Sequence, residues 1–279
     1  MTVEWSNFHQ STHRSNEILS IDILTKKGHT CIPNNDAEPM KKTFFIADVH
    51  LDSTFPDREQ LILAFLKMIG SENGDLYVLG DLFDFWATNK TVLGANRHVL
   101  TLMRELTEHG SRIYILIGNR DLLLNQKILS PFGIVFLGEK ATIRLDDKNI
   151  FLTHGHLLCT LDIKFQKYKN RVWPLYRFFD KILPGPVENY LAKKFILKSK
   201  RVINAQDSSC FRFSQDAVMD CFQQGNDVII CGHSHNRMKE RFGDKHFYAL
   251  PAWDQHKGGY VLHYNGAFSL CDFPAPSLS

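Results

Sequence analysis

Metal-binding residue types cluster at five places in this chain: Asp48-Val49-His50, Gly80-Asp81, Gly118-Asn119-Arg120-Asp121, His154-Gly155-His156 and Gly232-His233-Ser234-His235. Mixed carboxylate, amide and imidazole donors suit manganese, iron or zinc better than calcium, and donor type does not separate those three. Two divalent ions would bring four positive charges, of which Asp48 and Asp81 cancel two. The surplus would draw in a phosphate dianion or a pyrophosphate, and neutral Asn119 adds a donor without reducing it. Paired ions roughly 3.5–4 Å apart clamp the attacking and leaving oxygens of a displacement and activate a water between them. The chemistry implied is hydrolysis at phosphorus. Each short pattern alone is common by chance, but five in order, each closing an apolar run, are not.

The elements that must carry these residues are legible as apolar runs. TFFIA leads into Asp48, LYVLG into Asp81, RIYILIG into Asn119, NIFLT into His154 and DVIICG into His233. Between the first three, residues 58–69 and 96–109 repeat apolar side chains at helical spacing. Strands alternating with helices predict a layered α/β fold with parallel sheet content, and open sheets of that kind place their sites at the carboxyl ends of strands. The two-residue spacing within Asp48/His50 and within His233/His235 predicts that each pair projects to one side of a strand end. IVFLG and ATIRL read as further short strands. DVIICG, HFYAL and GGYVLHY read as neighbours in a second sheet. Residues 1–42 are polar and mixed and read as a poorly ordered extension. Residues 43–279 then form the working domain, with a basic, aromatic, helical insertion at about 161–204.

Bulk properties narrow the class. With 279 residues, 44% of them hydrophobic, the chain can bury a large core. A net charge of +3 is too weak to argue for nucleic acid. The six cysteines include no CxxC pair, which favours reduced thiols in a cytosolic protein over disulfides. No signal-peptide order begins the chain, and the longest apolar runs are strand-length, so membrane contact is expected to be peripheral at most.

DVH, GDLFDFW, GNRD, HGH and GHSH together resemble the motif series of the calcineurin-like metallophosphoesterases, from about residue 42 to the end of the chain. The resemblance implies an α/β sandwich of two mixed β-sheets flanked by helices, with a dinuclear site holding manganese first, or iron or zinc. Carried over by position, Asp48, His50, Asp81 and His235 would hold one ion. Asp81 as a bridge, with Asn119, His154 and His233, would hold the other.

One position speaks to the substrate. Many members of that family have His after the motif Asn, where this chain has Arg120. GNRD, GDLFDFW and the LCT(x)D stretch at 158–162 are similar to the UDP-2,3-diacylglucosamine pyrophosphatases of lipid A biosynthesis, which release UMP and 2,3-diacylglucosamine 1-phosphate (lipid X). That resemblance implies a nucleotide-linked lipid substrate, met by a peripheral protein at the cytoplasmic face of the inner membrane. It implies catalytic roles for Asp81, Asn119, Arg120 and His233. It also implies substrate contacts from Asn119, Arg120, Asp162, Ser199, Asn204 and His233. A permanent planar cation at Arg120 suits a second phosphate, while the plainer role is to brace a neighbouring carboxylate. The insertion carries Lys164, Lys167, Arg171, Lys181 and Lys198 among Phe165, Trp173 and Phe179. It fits a lid for acyl chains on an anionic surface, or else an amphipathic element with a solvated basic face.

Two departures favour a different substrate. His156 stands where those pyrophosphatases usually have Asp, and the stretch after Asn204 lacks their lysine. A second reading is therefore a soluble phosphoesterase for nucleotides, phosphodiesters or phosphoproteins. A third is an inert scaffold, which the complete donor set opposes. Asp84 is expected to cap a helix or orient a ligand, and Asp121 to pair with Arg120 or cap the next helix.

Overall fold

The computed structural model describes residues 41–52, 55–84, 94–121, 124–159 and 212–274. The insertion at 161–204, and the extension at 1–42 apart from Lys41 and Lys42, lie outside them. Eleven strands occur among the described residues. They are β1 (Thr43–Ile46), β2 (Asp75–Leu79), β3 (Ile113–Leu116), β4 (Val135–Gly138), β5 (Lys140–Leu145), β6 (Lys148–Thr153), β7 (Val228–Cys231), β8 (Met238–Phe242), β9 (Lys245–Ala249), β10 (Lys257–Tyr264) and β11 (Ala267–Pro274). The α-helices are α1 (Pro56–Ser71), α2 (Arg97–Glu108), α3 (Gln126–Leu129) and α4 (Gln215–Gln223). One sheet has the order β11-β10-β1-β2-β3-β4, and the other β5-β6-β7-β9-β8. In the first, β1 to β4 run parallel while β10 and β11 are antiparallel to their neighbours. In the second, β6, β7 and β9 are parallel and both edge strands antiparallel.

Successive side chains of a strand point to opposite faces, and here both faces are covered. Phe44 and Ile46 of β1, Leu76 and Val78 of β2, and Ile113 and Ile115 of β3 pack under α1 and α2. The alternate residues Phe45, Tyr77, Leu79, Tyr114 and Leu116 face Ile150, Leu152, Val228 and Ile230 of the second sheet. The outer face of that sheet, with Phe151, Ile229 and Cys231, packs on Val218 and Phe222 of α4. The layers are therefore helix, sheet, sheet, helix, as the family resemblance implies. Burial on both faces is why the central strands read as unbroken apolar runs.

The helices follow their local signals. Pro56 opens α1 with Asp57 and Glu59 in its first turn, and Leu61, Ile62, Phe65, Leu66 and Ile69 form its buried stripe. In α2, Val99, Leu100, Met103 and Leu106 are the buried positions. Ser214 caps α4 by accepting from the Ala217 amide.

One expectation needs correcting. The GGYVLHY strand, β10, does not join β7 and β9 in the second sheet; it pairs with β1 in the first, setting Phe44 opposite Leu262. The chain crosses back between the sheets at Trp253, and two glycines permit the return. A Cβ on Gly258 would lie 2.3 Å from the Trp253 indole, and one on Gly259 would lie 2.2 Å from the Pro251 ring. Two edge strands, β8 and β11, have no counterpart in the sequence reading. Their alternating or largely exposed patterns carry little apolar signal.

Phe65 joins α1 to the first sheet through ring contacts with Phe44, Trp253, Tyr260 and Phe273. Phe65→Ala is expected to lower unfolding free energy by about 3–5 kcal/mol. Urea denaturation followed by tryptophan fluorescence measures it.

Candidate metal centre

All the candidate donors on described residues meet where the carboxyl ends of β1, β2 and β3 approach those of β6 and β7. Each sits one or more residues beyond its strand rather than in it. Five of the seven adopt left-handed backbone: φ is 54° at Asp48, 50° at His50, 53° at Asp81, 73° at His233 and 59° at His235. This corrects the expectation that period-two alternation aims the DxH and HxH pairs. The left-handed turns do the aiming, at a cost of order 1–3 kcal/mol for each non-glycine residue so held. His233 and His235 accordingly reach different parts of the site rather than one side.

Backbone hydrogen bonds lash these turns together. The Asp48 amide donates to the Gly80 carbonyl at 3.2 Å, the His50 amide to Asp81 at 2.9 Å, and the Gly232 amide to His154 at 2.7 Å. The His233 amide donates to Asp48 Oδ2 at 2.7 Å, and the Trp253 amide to the Asp48 carbonyl at 3.0 Å. Packing is tight enough to demand glycine twice. A Cβ on Gly118 would stand 2.0 Å from Asp81 Oδ1, and one on Gly232 would stand 2.3 Å from Asp48 Oδ2.

Two groups of donors emerge. Asp48, His50 and His235 form one, and Asp48, Asp81 and His154 the other. In the first, His50 Nε2 lies 3.1 Å from His235 Nε2. Asp48 Oδ1 lies 3.3 Å from His235 Nε2 and 3.6 Å from His50 Nε2. In the second, His154 Nε2 lies 3.5 Å from Asp81 Oδ2 and 3.8 Å from Asp48 Oδ1. Asn119 Oδ1 completes this side, 2.8 Å from His154 Nε2 and 3.0 Å from His233 Nδ1. Asp81 Oδ2 also reaches to within 3.9 Å of His50 Nδ1, so it touches both groups. The resemblance gave the bridging role to Asp81 alone; the geometry sets Asp48 between the groups as well.

The donor set fits divalent cations. His154 Nδ1 lies 3.0 Å from the Leu79 carbonyl, which can only accept, so Nδ1 carries a proton and Nε2 is the ring atom turned toward Asn119 and Asp81; burial works against charge on this imidazole, but Asp81, Asp48 and Asp121 outweigh it and raise it above its usual range. Asp48 Oδ1 and His50 Nδ1 are buried without a hydrogen-bond partner. Burial pushes the His50 imidazole down to about 3, with Arg120, His235 and His154 acting in the same direction against Asp48. Burial raises Asp81, and the neighbouring Asp48 charge adds to it. Burial would raise Asp48 as well, but His154, His235 and His50 outweigh it and hold that carboxyl well below the usual range. Two buried carboxylates ringed by imidazole nitrogens and an amide oxygen are a cation site by composition. His235, with its side chain 47% exposed, marks the open side.

The remaining sequence candidates fall out clearly. Asp121 neither pairs with Arg120 nor serves only as a cap. Fully buried, it accepts from the Gly118 amide at 2.6 Å and the Leu82 amide at 3.0 Å, so one carboxylate ties the Asn119 turn to the Asp81 turn. An acid two residues past Asn119 was the available signal. Arg120 lies beside Asp81, its amide 2.8 Å from Asp81 Oδ1 and its Nε 3.8 Å from Oδ2, and Nη1 donates to Asp84 Oδ1 at 2.8 Å. His156 is buried, with Nε2 3.1 Å from Glu139 Oε1. Arg58, which no motif flagged, donates from Nη1 to the His50 carbonyl at 2.7 Å. Asp162, Ser199 and Asn204 lie outside the described residues. Cys159 and Cys231 are buried, and Cys221 and Cys271 partly buried.

A family model, calcineurin-like phosphoesterase, matches residues 41–237, and the chain belongs to that family of metal-dependent hydrolases. Within it, the chain is similar to curated proteins named UDP-2,3-diacylglucosamine hydrolase. That of Photorhabdus laumondii is 31% identical over 240 residues, covering 83% of this chain and 99% of its own. That of Coxiella burnetii is 30% identical over 242 residues, covering 84% and 98%. Among solved structures, a zinc-complexed Vps29 from Entamoeba histolytica overlaps with a TM-score of 0.44 at 14% identity, covering 85% of this chain and 94% of that one.

Left-handed strain and buried carboxylates both oppose folding unless a cation compensates. Chelating divalent ions is therefore expected to lower the thermal midpoint by several degrees, and two equivalents of Mn2+ to restore it. Scanning calorimetry across a metal titration measures both the shift and the stoichiometry.

Proposed function

We propose that this hydrolase cleaves the pyrophosphate bond of UDP-2,3-diacylglucosamine, giving UMP and 2,3-diacylglucosamine 1-phosphate. The observation that carries the reading is the match to curated UDP-2,3-diacylglucosamine hydrolases across nearly their whole length. The arginine beside the donor cage supports it, because a pyrophosphate offers a second anionic group to a planar cation.

Two bound divalent ions, Mn2+ first among the candidates, supply Lewis acidity and a water of lowered pKa. Asp48, His50, Asp81 and His235 would hold one, and Asp81, Asn119, His154 and His233 the other, with Asp48 near both groups. The seven donors leave the charge surplus that draws the pyrophosphate in. Asn119, Arg120 and His233 face the transferring phosphoryl group, where Arg120 stabilises charge that grows on its oxygens. Displacement at the α-phosphorus is in line and direct, with no covalent link to the chain. His154, fixed by the Leu79 carbonyl, and Asp121, fixed by two amides, keep the cage rigid through the reaction.

Residues 161–204 supply the lid in this reading. Its basic and aromatic side chains meet the acyl chains and the anionic surface, and Asp162, Ser199 and Asn204 meet the sugar or the uracil. The protein then works at the cytoplasmic face of the inner membrane as a peripheral visitor. No helix among the described residues is long and apolar enough to cross a membrane. His156, which favoured a soluble phosphodiester substrate, has a partner in Glu139, so its presence is accounted for without a change of substrate.

Purified protein with Mn2+ and UDP-2,3-diacylglucosamine in mixed micelles is expected to release UMP and lipid X. Turnover of simple phosphodiesters without UMP release would sink the lipid assignment in favour of the soluble phosphoesterase. Asp81→Asn is expected to cut kcat by at least about a thousandfold on any substrate, since Asp81 serves both ions. Near-normal turnover in that variant contradicts the two-ion arrangement.

A further inference from the structure

We propose that Arg58 is a positioning residue: it holds the His50 turn from its carbonyl side and so sets the affinity of the cation site formed by Asp48, His50 and His235. This rests on the two donor groups described above and not on the identity of the substrate.

A histidine that binds a metal through one ring nitrogen usually has the other tied to a carbonyl or carboxylate, which fixes the ring. His154 has that tie, from Nδ1 to the Leu79 carbonyl. His50 lacks it among the described residues. Its Nε2 faces His235 and Asp48, while Nδ1 is buried without a hydrogen-bond partner. Asp81 Oδ2, at 3.9 Å from that nitrogen, is too far for one. The direction of the ring is therefore inherited from the backbone, which is left-handed here with φ of 50°. Rotation of the peptide plane between His50 and Leu51 is the easy release of such strain. Both edges of that plane are held. The Leu51 amide donates to the Leu82 carbonyl at 2.9 Å, and the His50 carbonyl accepts from Arg58 Nη1 at 2.7 Å.

The helix that carries Arg58 does not account for it. The residue stands in the first turn of α1, where the helix dipole disfavours a cation, and it reaches toward a centre that draws in further cations. Its Nε is buried without a hydrogen-bond partner, a further cost. The bond to His50 offsets these costs. Its support is firm. The Arg58 amide donates to the Phe55 carbonyl at 3.2 Å, and the guanidinium carbon lies 5.2 Å from the centre of the Phe55 ring. Leu61, Ile62 and Phe65 seat the helix on the first sheet. Arg58 thus passes the position of α1 to one donor. The other donor group takes its geometry from the Leu79 carbonyl and from Asp121, and does not depend on this arginine.

The test titrates Mn2+ by calorimetry into chelator-stripped full-length protein, Arg58→Met, which keeps the length of the stem without its donors or charge, and Arg58→Lys, which keeps the charge and one donor group. The wild-type protein is expected to take up two equivalents. In Arg58→Met one of them is expected to bind about tenfold more weakly and the other as before, with a smaller split of the same sign in Arg58→Lys. A merely structural role would lower the thermal midpoint of the stripped protein and leave both affinities unchanged; that result overturns the proposal. So does an equal loss at both equivalents. Tighter binding overturns it too, since it is what an arginine acting only through charge repulsion would give. If Arg58→Met does not fold, which far-UV circular dichroism reads, the presence or absence of the split in Arg58→Lys decides. A single equivalent in the wild-type protein contradicts the two-ion arrangement itself and takes the proposal with it, whereas two equivalents without a split overturn the proposal alone.

Discussion

Two carboxylates with almost no access to water govern the architecture of this protein. Asp48 and Asp81 are 0% and 1% exposed and sit among imidazoles, of which burial holds His50 and His233 below the usual range. Ionised groups in such a place are tolerable only with compensating positive charge close by. Most of what surrounds them makes sense as provision for that charge. His154 is held at Nδ1 by a carbonyl, which leaves Nε2 as the ring atom turned toward the site. Asn119 contributes an oxygen without adding charge, and Asp121 spends its own carboxylate on amides rather than on a cation.

The same requirement explains where the backbone is uncomfortable. Five donors in left-handed conformation lie within a few residues of strands whose side chains are wholly buried. Leu79, Ile230 and Cys231 are held by close packing on both faces, so the turn that follows each strand begins from a fixed direction. A turn anchored at one end by a core strand and at the other by cross-links such as His50 to Asp81 cannot relax into easier geometry. Rigid sheets and strained turns are parts of one arrangement, in which stability from the core sustains an exacting arrangement of donors.

How much of this the amino-acid sequence announces depends on how local the cause is. TFFI, DLYVL and VIIC are strands in any context that buries both faces, and each stops at a donor, so the site was readable from pattern alone. Which sheet a strand joins is not local. Nothing within GGYVLHY distinguishes pairing with β1 from pairing with β9, and the choice depends on Trp253 packing against Gly258 at the crossover. Edge strands β8 and β11 are half exposed and look like polar loop. Spacing misled in one respect: DxH and HxH suggested alternation along a strand, but φ is invisible in a one-letter code. Asp121 escaped for another reason. Its partners are main-chain amides, which every residue has, so no partner residue type marks its role.

The donors are spread unevenly along the chain, and that spread has a temporal meaning. Asp48, His50, Asp81 and Asn119 belong to the first sheet's half, and His154, His233 and His235 to the second's. A ribosome making this protein releases His235 some 187 residues after Asp48. Until then the emerging chain holds only a partial cage, open on the side that the last histidines close. A centre that drew on all seven donors could not be complete until His235 had been made, and a chain truncated before that point would lack part of it.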